Sequence, residues 1–239
     1  MNKLVFKTEK ALDEAAAGII AALLQTKPDA VLGFATGSTP LGIYGELVRL
    51  HAEGKISFRE ATAFNLDEYV GLPRHHPQSF HAYMQKHLYD HIDILPQNRH
   101  IPDGSAPDPE AECLRYDELL RQAGRIDLQL LGIGHNGHIG FNEPAPGLIG
   151  GTHVAELSEQ TRQANARFFP SFEEVPKFAI TMGVGSILQA RRILLVAKGA
   201  DKAGIVRRAL CGPITTQVPA SLLQTHPRLT VLLTEDAAG

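Results

Sequence analysis

VLGFATGSTPLGIYGELVRLHA, residues 31–52, decides the fold. It opens with the apolar run VLGFA, breaks into the polar turn TGSTP, and continues from about Leu41 to Ala52 with helical spacing. That reads as strand, tight turn, helix, with Pro40 near the helix start. The unit recurs along the chain. LVF at 4–6 is a strand before a helix over 8–25, with Ala11, Ala15, Ile19, Ala22 and Leu23 at helical spacing. ATAFNL at 61–66 is a further strand. After a His-rich connection come helices near 78–90 and over 108–123, the second with Asp108 as N-cap and Gly124 as stop. IDLQLLGIG (126–134), FAITMG (178–183), RILLVAK (192–198) and LTVLLT (229–234) are strands. Helices are expected near 157–166, 184–190, beyond Ala200 and at 221–226. Alternation of this kind predicts an α/β fold, a mainly parallel sheet with helices on both faces, in one domain over 1–239.

The composition is that of an ordinary globular chain: 239 residues, 44% hydrophobic, 21% charged, formal net charge −3. With no basic block, neither nucleic acid nor a membrane surface is expected as a partner. No apolar run is long enough for a bilayer helix, and the first residues lack the apolar core of a secretory signal. Cys113 and Cys211 show no metal or redox spacing and read as reduced thiols. The expectation is a cytoplasmic protein.

In open parallel sheets, ligands bind beyond the carboxyl ends of the strands. Three polar clusters are expected there. In TGSTP, Thr36, Gly37, Ser38 and Thr39 offer hydroxyls and backbone N–H groups at a helix start, suited to a phosphate. The same residues read equally as a helix cap, with Ser38 or Thr39 capping and Pro40 at N1. No nucleotide P-loop or complete dinucleotide fingerprint is present. In FNLDEYVGL (64–72), an acidic pair can present one carboxylate to a pocket as a base, and spacing alone leaves Asp67 and Glu68 undecided. In GIGHNGHIGFNEPAP (132–146), four glycines carry His135, Asn136, His138 and Glu143. An imidazole moves protons near neutral pH once a neighbouring group orients it, and Glu143 is the candidate orienter. A metal pair from His135 and His138 would need further ligands that the spacing does not identify. His75, His76, His81, His87 and His91 match no metal pattern and read as surface residues. Arg167 and Lys202 each lie near a helix end, read singly as surface charges, but would complement a phosphate at TGST.

Together, ATGSTP, FNLDEYVGL, GIGHNGHIGFNEP, TRQANARFF and VPKFAITMGVG resemble the glucosamine-6-phosphate deaminase family, in its order and over nearly the whole chain. The related 6-phosphogluconolactonases share a GSTP-like loop but carry a GHTASLFP-like continuation where this chain has GHIGFNEP. The resemblance implies a modified Rossmann-type sandwich similar to the ribose-phosphate isomerase/CoA-transferase group. It implies conversion of glucosamine 6-phosphate and water to fructose 6-phosphate and ammonia, without metal or organic cofactor. It makes Asp67 the base at C2, and His138 the ring-opening group supported by Asn136 and Glu143. Thr36, Gly37, Ser38, Thr39, Arg167 and Lys202 become the phosphate ligands. Some members have Asp at position 136; Asn there can orient His138 by hydrogen bonding but carries no charge. Hexameric relatives bind an activating phosphosugar through Ser, Arg, Lys and Thr, where this chain has Pro146, His153, Ala155 and Glu156. That loss of cations predicts no such effector site and a monomer or small homo-oligomer. The segment 147–165 is expected to act as a lid. A lactonase, a sugar-phosphate isomerase and a phosphosugar sensor without turnover are the rival readings.

Overall fold

A computed structural model describes residues 1–239. In chain order the elements are β1 (Asn2–Phe6), α1 (Glu9–Thr26), β2 (Val31–Phe34), α2 (Leu41–Ala52), β3 (Thr62–Asn65) and β4 (Asp67–Tyr69). Then follow α3 (Phe80–His87), β5 (Arg99–His100), α4 (Pro109–Ala123), β6 (Leu128–Leu131), β7 (His153–Glu156) and α5 (Glu159–Asn165). The chain ends with β8 (Phe178–Thr181), α6 (Val184–Leu188), β9 (Ile193–Ala197), α7 (Ala203–Cys211), β10 (Leu229–Thr234) and α8 (Glu235–Ala238).

Seven strands form an all-parallel sheet in the order β1-β10-β9-β6-β2-β3-β5. Strands buried on both faces need continuous apolar runs, and β2, β6 and β9 are buried throughout. One face packs on α1, α2 and α3 through Leu12, Ile20, Ile43, Leu47, Leu32 and Phe34. The other packs on α4, α6 and α7 through Tyr116, Ile187, Val206, Leu131 and Leu195. Truncating a buried leucine such as Leu32 to alanine costs about 2–5 kcal/mol in such a core.

The mainly parallel α/β class holds. So do the ends of α4, where Asp108 Oδ1 accepts from the N–H of Glu110 and Ala111 at 3.1 and 3.0 Å, and Gly124 leaves the helix at φ 82°. Other expectations are corrected. In α1 the buried face is Leu12, Ala16, Ile20 and Leu24, whereas Ala11, Ala15 and Ile19 are half-buried and Ala22 is exposed. The alanine-rich sequence offers two overlapping apolar stripes, and only the sheet selects one. FAITMG does not join the parallel sheet. As β8 it is the centre of a second, antiparallel sheet, β4-β8-β7. Within the segment 147–165, residues His153–Glu156 form β7, paired to β8, and Glu159–Asn165 form α5. The short strands β4, β5 and β7 went unread in the sequence, being too brief for a periodicity.

The second sheet positions the site. The chain leaves β3 at Leu66, whose N–H donates to Phe34 O and whose carbonyl accepts from Met182, and enters β4 at once. Tyr69 on β4 packs with Phe80 of α3 and with Phe141, ring centroids 4.6 and 5.7 Å away. This aromatic cluster ties the small sheet to the loop after β6.

Candidate active site

The carboxyl ends of β2, β6 and β9, adjacent in the parallel sheet, bring TGSTP, GIGHNGH and KGADK to one edge. β2 has β3 on one side and β6 on the other, which makes its end a topological switch point. The loop after β2 is not capped by its own hydroxyls. Pro40, in helical conformation, is the flanking residue of α2 rather than N1, and no side chain caps the helix. The N–H groups of Gly37, Ser38 and Thr39 meet no protein acceptor. Gly37 adopts φ 93°, and its carbonyl accepts from Tyr83 Oη at 2.6 Å. A short loop with unpaired donors at a helix N-terminus is receptive to an anion.

The structure decides between the two acids of FNLDEYVGL. Glu68 turns into the protein and caps α3, accepting from the N–H of Tyr69, Phe80 and His81, each at 2.9 Å. Burial still raises its carboxyl, to about 7. Asp67 is buried with Oδ1 unpartnered. Desolvation first, then the neighbouring Glu68, push its pKa up to about 8. A carboxylate held there is a stronger base than one in water. Only a glycine at 140, at φ 56°, lets the loop after β6 cross this place: a Cβ would lie 2.9 Å from Thr181 Oγ1 and 3.7 Å from Asp67 Oδ2.

In that loop, His138 Nδ1 stands 3.5 Å from Glu143 Oε1, at ion-pair distance but with no formed hydrogen bond. Its ring lies over Gly134, where a Cβ would come within 2.3 Å of it. Asn136 does not touch the imidazole, contrary to expectation. Its Oδ1 accepts from the backbone N–H of His138 at 3.1 Å, and its Nδ2 donates to Glu143 Oε2 at 2.5 Å. It therefore shapes the turn and steers the carboxylate. Glu143 also accepts from Thr161 Oγ1 at 2.5 Å. Burial works to raise the Glu143 carboxyl, but His138, Thr161 and Asn136 outweigh it and hold it below the ordinary value.

The two cations separate. Lys202 is half-buried and donates to Ile133 O at 3.0 Å, one residue beyond Gly132, against which Thr39 packs. Burial lowers its pKa, and Asp201 opposes that. Arg167 is exposed, its guanidinium over the Phe168 ring at 4.7 Å, and makes no contact with TGST. Sequence reasoning missed Thr161, Thr181 and Tyr83. Thr161 and Thr181 lie within TRQANARFF and VPKFAITMGVG but carry no chemical signal of their own, and Tyr83 lies in no motif; each acts across a distance of 18 to 46 residues that only the tertiary fold closes. No three His, Cys, Asp or Glu side chains gather where they could hold a metal ion, and no helix is long and apolar enough to cross a membrane.

A parallel three-layer fold with a buried carboxylate, an imidazole facing a carboxylate and an anion-receptive loop at one sheet edge defines the class. Comparison with known proteins narrows it. A family model described as glucosamine-6-phosphate isomerases/6-phosphogluconolactonase matches residues 7–232, and the chain belongs to this family. It is 53% identical to a glucosamine-6-phosphate deaminase of Bacillus velezensis, over 100% of this chain and 99% of that protein. It is 50% identical to glucosamine-6-phosphate deaminase 1 of Bacillus subtilis, with the same coverage. A solved structure described as a monomeric glucosamine-6-phosphate deaminase is 50% identical, with TM-score 0.97 over 100% of this chain and 99% of that one. A 6-phosphogluconolactonase structure from Thermotoga maritima, 21% identical with TM-score 0.77 over 98% of both chains, shares the fold.

Proposed function

We propose that this chain is an isomerising deaminase that converts glucosamine 6-phosphate and water to fructose 6-phosphate and ammonia. The observation that carries the reading is the unpartnered, buried Asp67 carboxyl at the same edge as the His138–Glu143 pair. The reaction needs two proton movers of different character, one to open a ring and one to take a proton from carbon. His138, faced by Glu143, transfers a proton to the ring oxygen and opens the pyranose. Asp67 takes the C2 proton and returns it to C1 through an enolamine. Water then adds at C2 and ammonia leaves, so atoms balance with no change of oxidation state overall. Asn136 keeps Glu143 and the turn in place.

Thr36, Gly37, Ser38, Thr39 and Lys202 hold the phosphate, whose binding energy positions C1 and C2 at Asp67. Arg167 joins them only if the segment carrying α5 and residues 166–168 swings inward. The part of 147–165 that moves would then begin after the paired strand β7. The substrate is a small-molecule amino-sugar phosphate, and the working assembly is a monomer or small homo-oligomer without the effector site of hexameric relatives.

Ammonium release from glucosamine 6-phosphate tests the reading, alongside Asp67→Asn and His138→Gln. Asp67→Asn is expected to bind substrate yet release almost none. Lactone hydrolysis without ammonium would favour the lactonase reading. Phosphosugar binding indifferent to Asp67, without turnover, would favour the sensor.

A further inference from the structure

His135 lies in the catalytic loop but faces away from His138, toward the segment 199–202. Its Nε2 is 2.6 Å from Asp201 Oδ2, and its Nδ1 is 3.3 Å from Lys202 Nζ. An ammonium has three protons to donate and nothing to accept with, so Nδ1 must be the acceptor. The ring proton then sits on Nε2 and goes to Asp201, and the neighbour on each side settles the tautomer. Lys202 spends its second N–H on Ile133 O at 3.0 Å. Two of its three protons are committed to the loop after β6, and the third is left for a ligand.

Asp201 is held in turn. Gly199 adopts φ 91°, and a Cβ on it would come 2.6 Å from Asp201 Oδ1, so the carboxylate folds over a residue that only glycine can supply. The Gly199 N–H is anchored to Thr234 Oγ1 at 3.1 Å. The chain of contacts therefore runs from the end of β10, through Gly199 and Asp201, to His135 and Lys202. Asp201 also supplies a negative charge that opposes the burial lowering the pKa of this half-buried lysine.

We propose that His135 and Asp201 are positioning residues for the phosphate-binding lysine, His135 as the neutral Nε2–H tautomer that accepts from Lys202 and donates to Asp201. The inference rests on the phosphate role proposed for Lys202. His135 does not act on the sugar. It converts a flexible lysine into a donor of set direction, so its loss falls on phosphate affinity rather than on the chemical step.

The test measures inhibition by inorganic phosphate and the KM and kcat for glucosamine 6-phosphate in the full-length protein. His135→Leu is expected to weaken phosphate inhibition and raise KM by about three- to tenfold, roughly one charge-assisted hydrogen bond, with kcat changing far less. His135→Asn keeps one acceptor and one donor and should recover most of the loss, which a merely space-filling role would not show. Asp201→Asn should weaken phosphate inhibition in the same sense. Lys202→Ala separates the two readings. If Lys202→Ala loses phosphate affinity but His135→Leu does not, the positioning role is overturned and the lysine's role stands. If Lys202→Ala leaves phosphate affinity unchanged, the role of the lysine falls, and this inference with it.

Discussion

The Thr161 hydroxyl donates to Glu143 Oε1 at 2.5 Å, so α5 reaches back to hold the carboxylate that faces His138. Thr161 is itself buried, with its N–H capped by Ser158 Oγ. The segment beyond β7 thereby bears on the pair proposed to transfer the ring-opening proton. Thr161→Val keeps the shape and removes the donor, leaving Glu143 with Asn136 alone beside the imidazole. A fall in kcat/KM of about tenfold is expected, in line with one lost hydrogen bond to a charged group. Thr161→Ser should stay near the starting activity. Equal activity in the valine variant would show that α5 has no hold on the chemistry.

His138 depends on the absence of a side chain beneath it. A Cβ at Gly134 would come 2.3 Å from its ring, so Gly134→Ala must displace the imidazole. Misplacing a catalytic group by about 1 Å costs on the order of 100-fold in rate. Gly147→Ala, where no atom lies within 4 Å of the new Cβ, is the matched control and should be close to neutral. Ammonium-release rates for the pair decide the point.

Asp67 must be ionised to act as a base. With its pKa raised to about 8 in the free protein, kcat/KM should climb as pH rises through about 8. Carboxyl-carbon NMR titration of Asp67 measures the same group directly. A titration centred near 4 would remove the physical basis of this limb.

The same burial weakens the fold. A folded pKa of about 8 against an ordinary value of 3.8 means that the folded state binds the proton more tightly than the unfolded chain does. The stability this contributes is fully present below about pH 3.8 and is lost as pH rises through 8. Glu68, raised to about 7, acts in the same direction. Asp67→Asn should therefore be inactive yet more stable at pH 8, by roughly 1–3 kcal/mol. Denaturant unfolding at pH 6 and pH 8 checks both sign and trend, and a variant less stable than the parent at pH 8 would contradict it.

The resemblance to the deaminase family puts the effector positions of hexameric relatives at Pro146, His153, Ala155 and Glu156, and we propose that no effector site exists there. Glu156 would face a phosphate with like charge, and no arginine or lysine replaces the lost cations. N-acetylglucosamine 6-phosphate should therefore raise kcat/KM by less than about tenfold, the equivalent of roughly 1.4 kcal/mol of coupling. A steady-state titration with that compound gives the answer.

Much of this protein was legible before any coordinates. The run from VLGFA through TGSTP into a helix carries its own strand, turn and helix within 22 residues, and these elements form where the pattern puts them, although the expected hydroxyl cap does not. The caps of α4 were readable for the same reason. The cluster His138, Glu143 and Asn136 lies within eight residues, so its presence at one place needed no tertiary information. What each member touches was another matter. Asn136 was expected on the imidazole and is found on Glu143 and the His138 backbone, since two polar atoms in a tight turn have several partners in reach.

Tertiary structure decided whatever depended on a register or on a distant partner. FAITMG reads as a strand in any sheet, and only its pairing with β4 and β7 assigns it to the antiparallel one. Asp67 and Glu68 are adjacent acids with equal claims in sequence; strand alternation turns Glu68 to the N-terminus of α3 and leaves Asp67 on the other face of β4 with Oδ1 unpartnered. In the sequence His135 reads only as half of a metal pair without further ligands; in the fold the segment after β9 brings Asp201 and Lys202 to it across more than 60 residues. The sequence by itself determined the parallel α/β class and supplied the residues from which the site is proposed, because backbone preference and apolar period act over a few neighbours. The direction of each carboxylate, the partner of each imidazole and the hold of α5 on Glu143 were decided only by packing, because they depend on which surfaces meet.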